Sequence, residues 1–203
     1  MEQDKHVWSA ETMVANTAKP RRKNVNPVIY EHNVTRKTRL TLVMMGCWGV
    51  YFAPYNIARL SALTKEAGYA TRSFDFNVDL YTTFKSNGLD KAWDSINYYW
   101  WNDGNYQDKL HDAALPHYAA YLDKIVASNP TVVGFSIYDT NKVPTYWMIR
   151  ELKKRLPFVL VIAGGPSCHN PEYEAIDEID YYVVGEGEQI LLDMLENFEN
   201  NVL

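Results

Sequence analysis

Five short strand-like runs, four of them largely apolar and the second, Thr71–Asp75, mixed, dominate this 203-residue chain, each followed by small or polar residues. Stretches with helical spacing separate them. The runs are Leu40–Met45, Thr71–Asp75, Val132–Ser136, Val159–Ala163 and Tyr181–Val184. Continuous apolar runs of this length predict strands buried on both faces. Between the first two lies Pro54–Ala67, with Ile57, Leu60, Leu63 and Ala67 near helical spacing. Pro54 suits the first turn of a helix and Gly68 its stop. Val78–Ser128 is helical in character and ends in Leu115–Val126. Val143–Leu156 and Gln189–Phe198 complete the series. Strands that alternate with helices need right-handed crossovers into a parallel sheet. The expectation is therefore an α/β chain with a flavodoxin-like (Rossmann-like), doubly wound, five-stranded parallel sheet of order 2-1-3-4-5. The domain is expected over residues 38–203. Residues 1–37 are polar, carry the basic cluster Lys19, Arg21, Arg22 and Lys23, and are interrupted by Pro20 and Pro27. They predict an extended or flexible N-terminal arm.

In open α/β sheets ligands sit at the carboxyl ends of the strands, near the switch point. The candidate residues are therefore those of the five strand-end loops. They are Gly46, Cys47, Trp48, Tyr51 and Pro54 in loop one, and Asp75 and Asn77 in loop two. Loop three gives Ser136, Ile137 and Tyr138, loop four Gly164, Gly165 and Pro166, and loop five Gly185, Glu186 and Gly187. Glycines let a ligand approach the backbone, and helix starts offer N–H groups to polar or anionic parts. Each signal also has a purely structural reading. Gly164-Gly165 can be a tight strand exit, Ser136 a helix cap, and Gly185 and Gly187 a turn.

Other classes are disfavoured. A net charge of −5 does not suit phosphate-driven nucleic-acid binding. Cys47 and Cys168 are the only cysteines, too few for a disulfide framework or a four-cysteine zinc site. No apolar run has the length of a membrane span and no signal peptide is recognisable, so a reducing, cytoplasmic setting is the expectation. No Gly-x-Gly-x-x-Gly, phosphate loop or Gly-x-Ser-x-Gly elbow occurs, and no catalytic residue is assigned. Cys168 and His169 are adjacent without a third ligand nearby, so no metal site is assigned either. The Tyr98-Tyr-Trp-Trp101 cluster reads as helix–helix core or as the rim of a pocket or dock.

From about Arg39 to Asn197 the chain resembles the cobalamin (B12)-binding N-terminal domain of radical S-adenosylmethionine (radical SAM) proteins. The matching pieces are the Pro54…Leu60…Leu63…Ala67-Gly68-Tyr69 helix, Asp75-Phe-Asn77, Val133-Gly-Phe-Ser-Ile-Tyr138, Val161-Ile-Ala-Gly-Gly-Pro166 and Asp180-Tyr-Tyr-Val-Val-Gly-Glu-Gly-Glu188. The resemblance implies cobalamin as cofactor, with its nucleotide tail between the loops after strands three and four. Ser136 and Gly164-Gly165 stand where such domains have Ser-x-Leu and Gly-Gly, with Tyr138 replacing the Leu. A bulky residue at Gly165 is then expected to fill space the tail needs.

Two departures select a branch. The Asp-x-His-x-x-Gly motif that supplies a lower cobalt ligand is absent, so base-off binding is expected, with His169 missing the metal. The Cys-x-x-x-Cys-x-x-Cys motif of a [4Fe–4S] cluster is absent too. The resemblance thus implies a cobalamin-binding module rather than a complete enzyme. S-adenosylmethionine and the [4Fe–4S] cluster would come from a radical SAM catalytic domain or subunit, for methyl transfer or radical chemistry. The alternative is a flavodoxin-like interaction or scaffold domain that has lost cobalamin binding. No nucleic acid and no membrane is expected among its partners.

Overall fold

A computed structural model describes residues 33–168 and 176–202. Five strands form a single all-parallel sheet: β1 Arg39–Met44, β2 Ala70–Asp75, β3 Val132–Ser136, β4 Leu160–Gly164 and β5 Tyr181–Val183. Their order is 2-1-3-4-5, as the alternation predicts. The register sets Leu42 beside Gly134, Gly134 beside Ile162, and Ser136 beside Gly164. Strand ends differ from expectation by one residue or so. Met45 and Val184 leave the ladder, and the fourth strand is shifted one residue onward, from Leu160 to Gly164.

Helices cover both faces. On one face lie α1 (Tyr55–Glu66) and α6 (Gly187–Glu199), over a core of Leu40, Leu42, Met44, Val132, Ile162 and Val183. On the other lie α2 (Phe76–Ser86), α4 (His111–Ala127) and α5 (Lys142–Arg155), over Val43, Val133, Phe135, Val161 and Ala163. Successive strand residues point to opposite faces, so both sets are apolar and the central strands β1, β3 and β4 are buried twice. The edge strand β2 departs from that expectation: Arg72 and Ser73 are exposed.

The segment expected to be broadly helical, 78–128, is not continuous. Helix α2 stops at Asn87-Gly88, where Gly88 takes a positive φ of 71°. Two 3-10 turns follow, Asp90–Trp93 and Ser95–Trp101, then a short α3 (Asp103–Lys109), and only then α4. Aromatic packing dictates this path. Trp93 meets Trp101, Phe84 and Tyr81 edge-on, and the Trp101 indole N–H donates to the Ala92 carbonyl at 2.8 Å. Edge-to-face contacts of this kind add about 0.5–1.5 kcal/mol each to simple burial. Of the two readings of Tyr98–Trp101, core holds for Trp101, which is fully buried, while Tyr99 stands half exposed.

The described part of the expected N-terminal arm runs along the domain. The amides of Thr35 and Arg36 donate to the Gly68 carbonyl, and Arg36 pairs with Glu199 and Glu196 of α6. Residues 1–32 lie outside the described residues. Among the described residues no helix is long and apolar enough to cross a membrane.

Candidate functional site

At the carboxyl end of the sheet, between α1 and α6, a cavity of about 300 Å³ opens to solvent. Its origin is legible in the strands. Gly134 and Gly164 stand at alternate positions on the face that α1 and α6 cover, together with Ile162 and Ser136. At Gly164 the missing side chain leaves room, the nearest atom to a Cβ there being Val183 Cβ at 3.6 Å, whereas at Gly134 the Leu42 side chain already comes within 3.0 Å. Glycine inside a strand often marks such a place, where something else must come close.

Leu42, Ile57, Leu60, Ile162, Val183 and Leu191 make the walls apolar. The polar groups converge at the mouth. Asn56 donates from Nδ2 to Ser136 Oγ at 2.5 Å and reaches the Tyr138 hydroxyl at 3.5 Å. Asn56 Oδ1 is buried with no partner of its own. Burial raises the Tyr138 phenol above its ordinary value, so it stays a neutral donor. Tyr138 also packs against Trp48, ring centroids 5.5 Å apart. Arg59 of α1 faces Glu188 of α6 across the opening at 4.0 Å.

Of the residues singled out in the sequence, Ser136, Tyr138, Gly164, Gly165, Pro166, Gly185, Glu186 and Gly187 line this cavity. Ile137 lies under it, fully buried, and accepts from the Ser167 amide. Pro54 is the buried N-cap residue of α1. Loop one is divided: Trp48 packs on Tyr138, whereas Tyr51 and Phe52 are 73% and 75% exposed. Four residues are turned elsewhere. Gly46 backs onto Asn77, Leu80 and Trp93. Cys47 is fully buried in the opposite core, and burial holds its thiol far above the ordinary range. Asp75 caps α2 by accepting from the Asn77 amide at 3.0 Å. Burial, opposed by that hydrogen bond and assisted by Asp79, raises its carboxyl pKa. Asn77 is fully buried behind loop one.

Gly165 has a different role from the one its neighbours suggest. Its φ is +122°, and a Cβ there would stand 2.5 Å from the Ile137 carbonyl oxygen. A side chain at 165 would therefore strain the β4 exit itself rather than plug the cavity. Gly164 is the plug position, because its Cβ would make an ordinary 3.6 Å contact with Val183 at the cavity wall.

Among the lining residues that sequence reasoning did not single out are Asn56, Arg59, Gly134 and Leu191. The mid-strand Gly134 carried a usable signal. The other three face the cavity through the pairing of α1 with α6, which no local pattern reveals. His169 lies outside the described residues. Among the described residues no three His, Cys, Asp or Glu side chains gather as a metal site.

Comparison with known proteins adds one match: residues 102–195 fit the model of the B12 binding domain family. No curated protein and no solved structure matches the chain. The matched stretch holds β3, β4 and β5 and most of α6, and so both glycines of the cavity floor and Ser136. The sheet order and the position of the cavity at the carboxyl ends of the strands are consistent with that match to the B12 binding domain family over residues 102–195.

Proposed function

We propose that the groove between α1 and α6 holds the nucleotide tail of cobalamin, and that the chain is the cobalamin-binding module of a B12-dependent radical SAM system. The catalytic part, with its [4Fe–4S] cluster and S-adenosylmethionine, belongs in this reading to another domain or subunit. One observation carries the proposal. The sheet loses two side chains, at Gly134 and Gly164, directly beside Ser136, within the segment matched to B12-binding domains. A flat apolar heterocycle suits a cavity of about 300 Å³ walled by Leu42, Ile57, Ile162 and Leu191. A buried, unpartnered Asn56 Oδ1 suits a sugar hydroxyl beside that ring.

The chain's own residues then do three things. Ser136 and Tyr138 orient the tail at the mouth, and Gly164, Gly185 and Gly187 let it approach the backbone. Loop one, Gly46–Pro54, carries no histidine and offers Trp48 and Tyr51 to shield the lower face from water. When cobalamin is bound, the groove would hold the tail and its base within the protein. Bound cobalamin supplies methyl-transfer or radical chemistry at its cobalt; the protein supplies binding, orientation and exclusion of water.

Electron paramagnetic resonance of cob(II)alamin with this protein tests the reading. Free cob(II)alamin at neutral pH shows splitting from its own axial nitrogen. Addition of the protein is expected to abolish that splitting, and His169→Ala is expected to change nothing. Splitting that persists unaltered would contradict the proposal and favour an interaction module that has lost the cofactor.

A further inference from the structure

The groove is apolar over most of its surface, yet its mouth carries charge. Among the described residues that line it, Arg59 is the only basic one, against Glu186 and Glu188. Arg59 sits one turn into α1, three positions after Asn56, so both side chains share one helix face. Its partner Glu188 stands across the opening in the first turn of α6. Their 4.0 Å separation is at the outer limit of an ion pair, and the two side chains are 48% and 36% exposed. Such a pair is weak and easily exchanged. A glutamate in the first turn of a helix keeps a favourable partner in the helix dipole when its cation leaves.

An apolar slot with a single exchangeable guanidinium at its lip selects a ligand with an apolar body and one anionic group. We infer that Arg59 is a specificity residue that reads the phosphodiester of a nucleotide arm. It leaves Glu188 for the phosphate when the arm enters the groove. This rests on the cobalamin reading and deepens it. Arg59 makes the site discriminate corrinoids that carry the nucleotide from those that lack it. A guanidinium suits this task because its planar fork pairs with two phosphate oxygens at once.

The test is an absorption titration of wild type, Arg59→Ala and Glu188→Gln with hydroxocobalamin and with diaquacobinamide, which has no nucleotide. Wild type is expected to bind hydroxocobalamin more tightly than cobinamide. Arg59→Ala should weaken hydroxocobalamin about five- to tenfold and leave cobinamide unchanged. Glu188→Gln should tighten hydroxocobalamin, because it releases Arg59. Raising the salt concentration should weaken wild type and not Arg59→Ala. Equal effects of Arg59→Ala on both corrinoids, or none on either, overturn the inference while leaving cobalamin binding intact. Failure of wild type to bind either corrinoid overturns both. Adenosine monophosphate is the last arm. Arg59-dependent binding of it by a protein that ignores corrinoids would name a free nucleotide as the ligand and overturn the corrinoid assignment.

Discussion

Asn77 uses both ends of its amide from a fully buried position. Its Oδ1 accepts from the Trp48 amide at 3.0 Å and the Trp93 indole N–H at 2.7 Å. Its Nδ2 donates to the Trp48 carbonyl at 2.9 Å. One side chain thus fixes the start of loop one against the aromatic segment. Asn141, also fully buried, does the same from loop three, donating to Met45 and Ser136 carbonyls and accepting from the Tyr138 amide. Asn77→Ala would strand the two N–H donors in the interior, at about 1–3 kcal/mol each. Urea unfolding is expected to show a loss of about 2–6 kcal/mol. A loss under about 0.5 kcal/mol would mean that loop one is held some other way. Asp75-Phe-Asn77 was readable as a strand end, but not as the loop expected there: β2 ends at Asp75 and α2 begins at Phe76, with Asn77 in its first turn. What Asn77 does was not readable, because its partners lie 16 and 29 positions away.

The elements divide sharply in how far they could be read. Helices α1, α5 and α6 announce themselves by spacing and by breakers such as Gly68 and Pro157, because each buries one stripe on the sheet. The crossover from β2 to β3 does not. Its apolar residues serve a local aromatic core, so a helical composition hides two 3-10 turns and three separate helices. Nor does any periodicity reveal how α6 is tied at its far end. There Glu199 accepts from the Thr38 amide at 2.7 Å and pairs with Arg36. Burial alone would raise this carboxyl. Hydrogen bonds from Thr38 and Lys37 and the Arg36 charge instead bring it below its ordinary value of 4.5. A depressed folded-state value means that the stabilisation is complete above that ordinary value and fades as pH falls through the lowered one. Glu199→Gln should therefore melt below wild type at pH 7. The gap should close as the pH is taken well under 4.5, where wild type is protonated as well. A melting difference that stays constant with pH would assign the effect to packing rather than charge.

At the scale of the whole molecule, fold and site have one cause. A parallel sheet of order 2-1-3-4-5 brings five strand ends to one edge, and the pleat puts Gly134, Gly164 and Ser136 on the same face. The alternation of apolar runs carried the topology in full. It also carried eight of the cavity's lining residues, since strand-end loops can be read from where runs stop. The wall made by α1 could not be read, because helix rotation about the sheet is set by tertiary packing of its Ile57 in one core with Leu191 of α6.

The central claim is that this glycine-floored groove is where cobalamin's tail goes. Gly164 is the position at which that can be asked cleanly, since a Cβ there meets only ordinary contacts. The measurement is a hydroxocobalamin titration, followed by absorption, of wild type and Gly164→Leu, with circular dichroism and thermal melting to establish that both are folded. Wild type should bind one equivalent, and folded Gly164→Leu should lose at least tenfold in affinity as the leucine occupies the slot. Equal affinity of the two proteins, or no binding by wild type, would contradict the account.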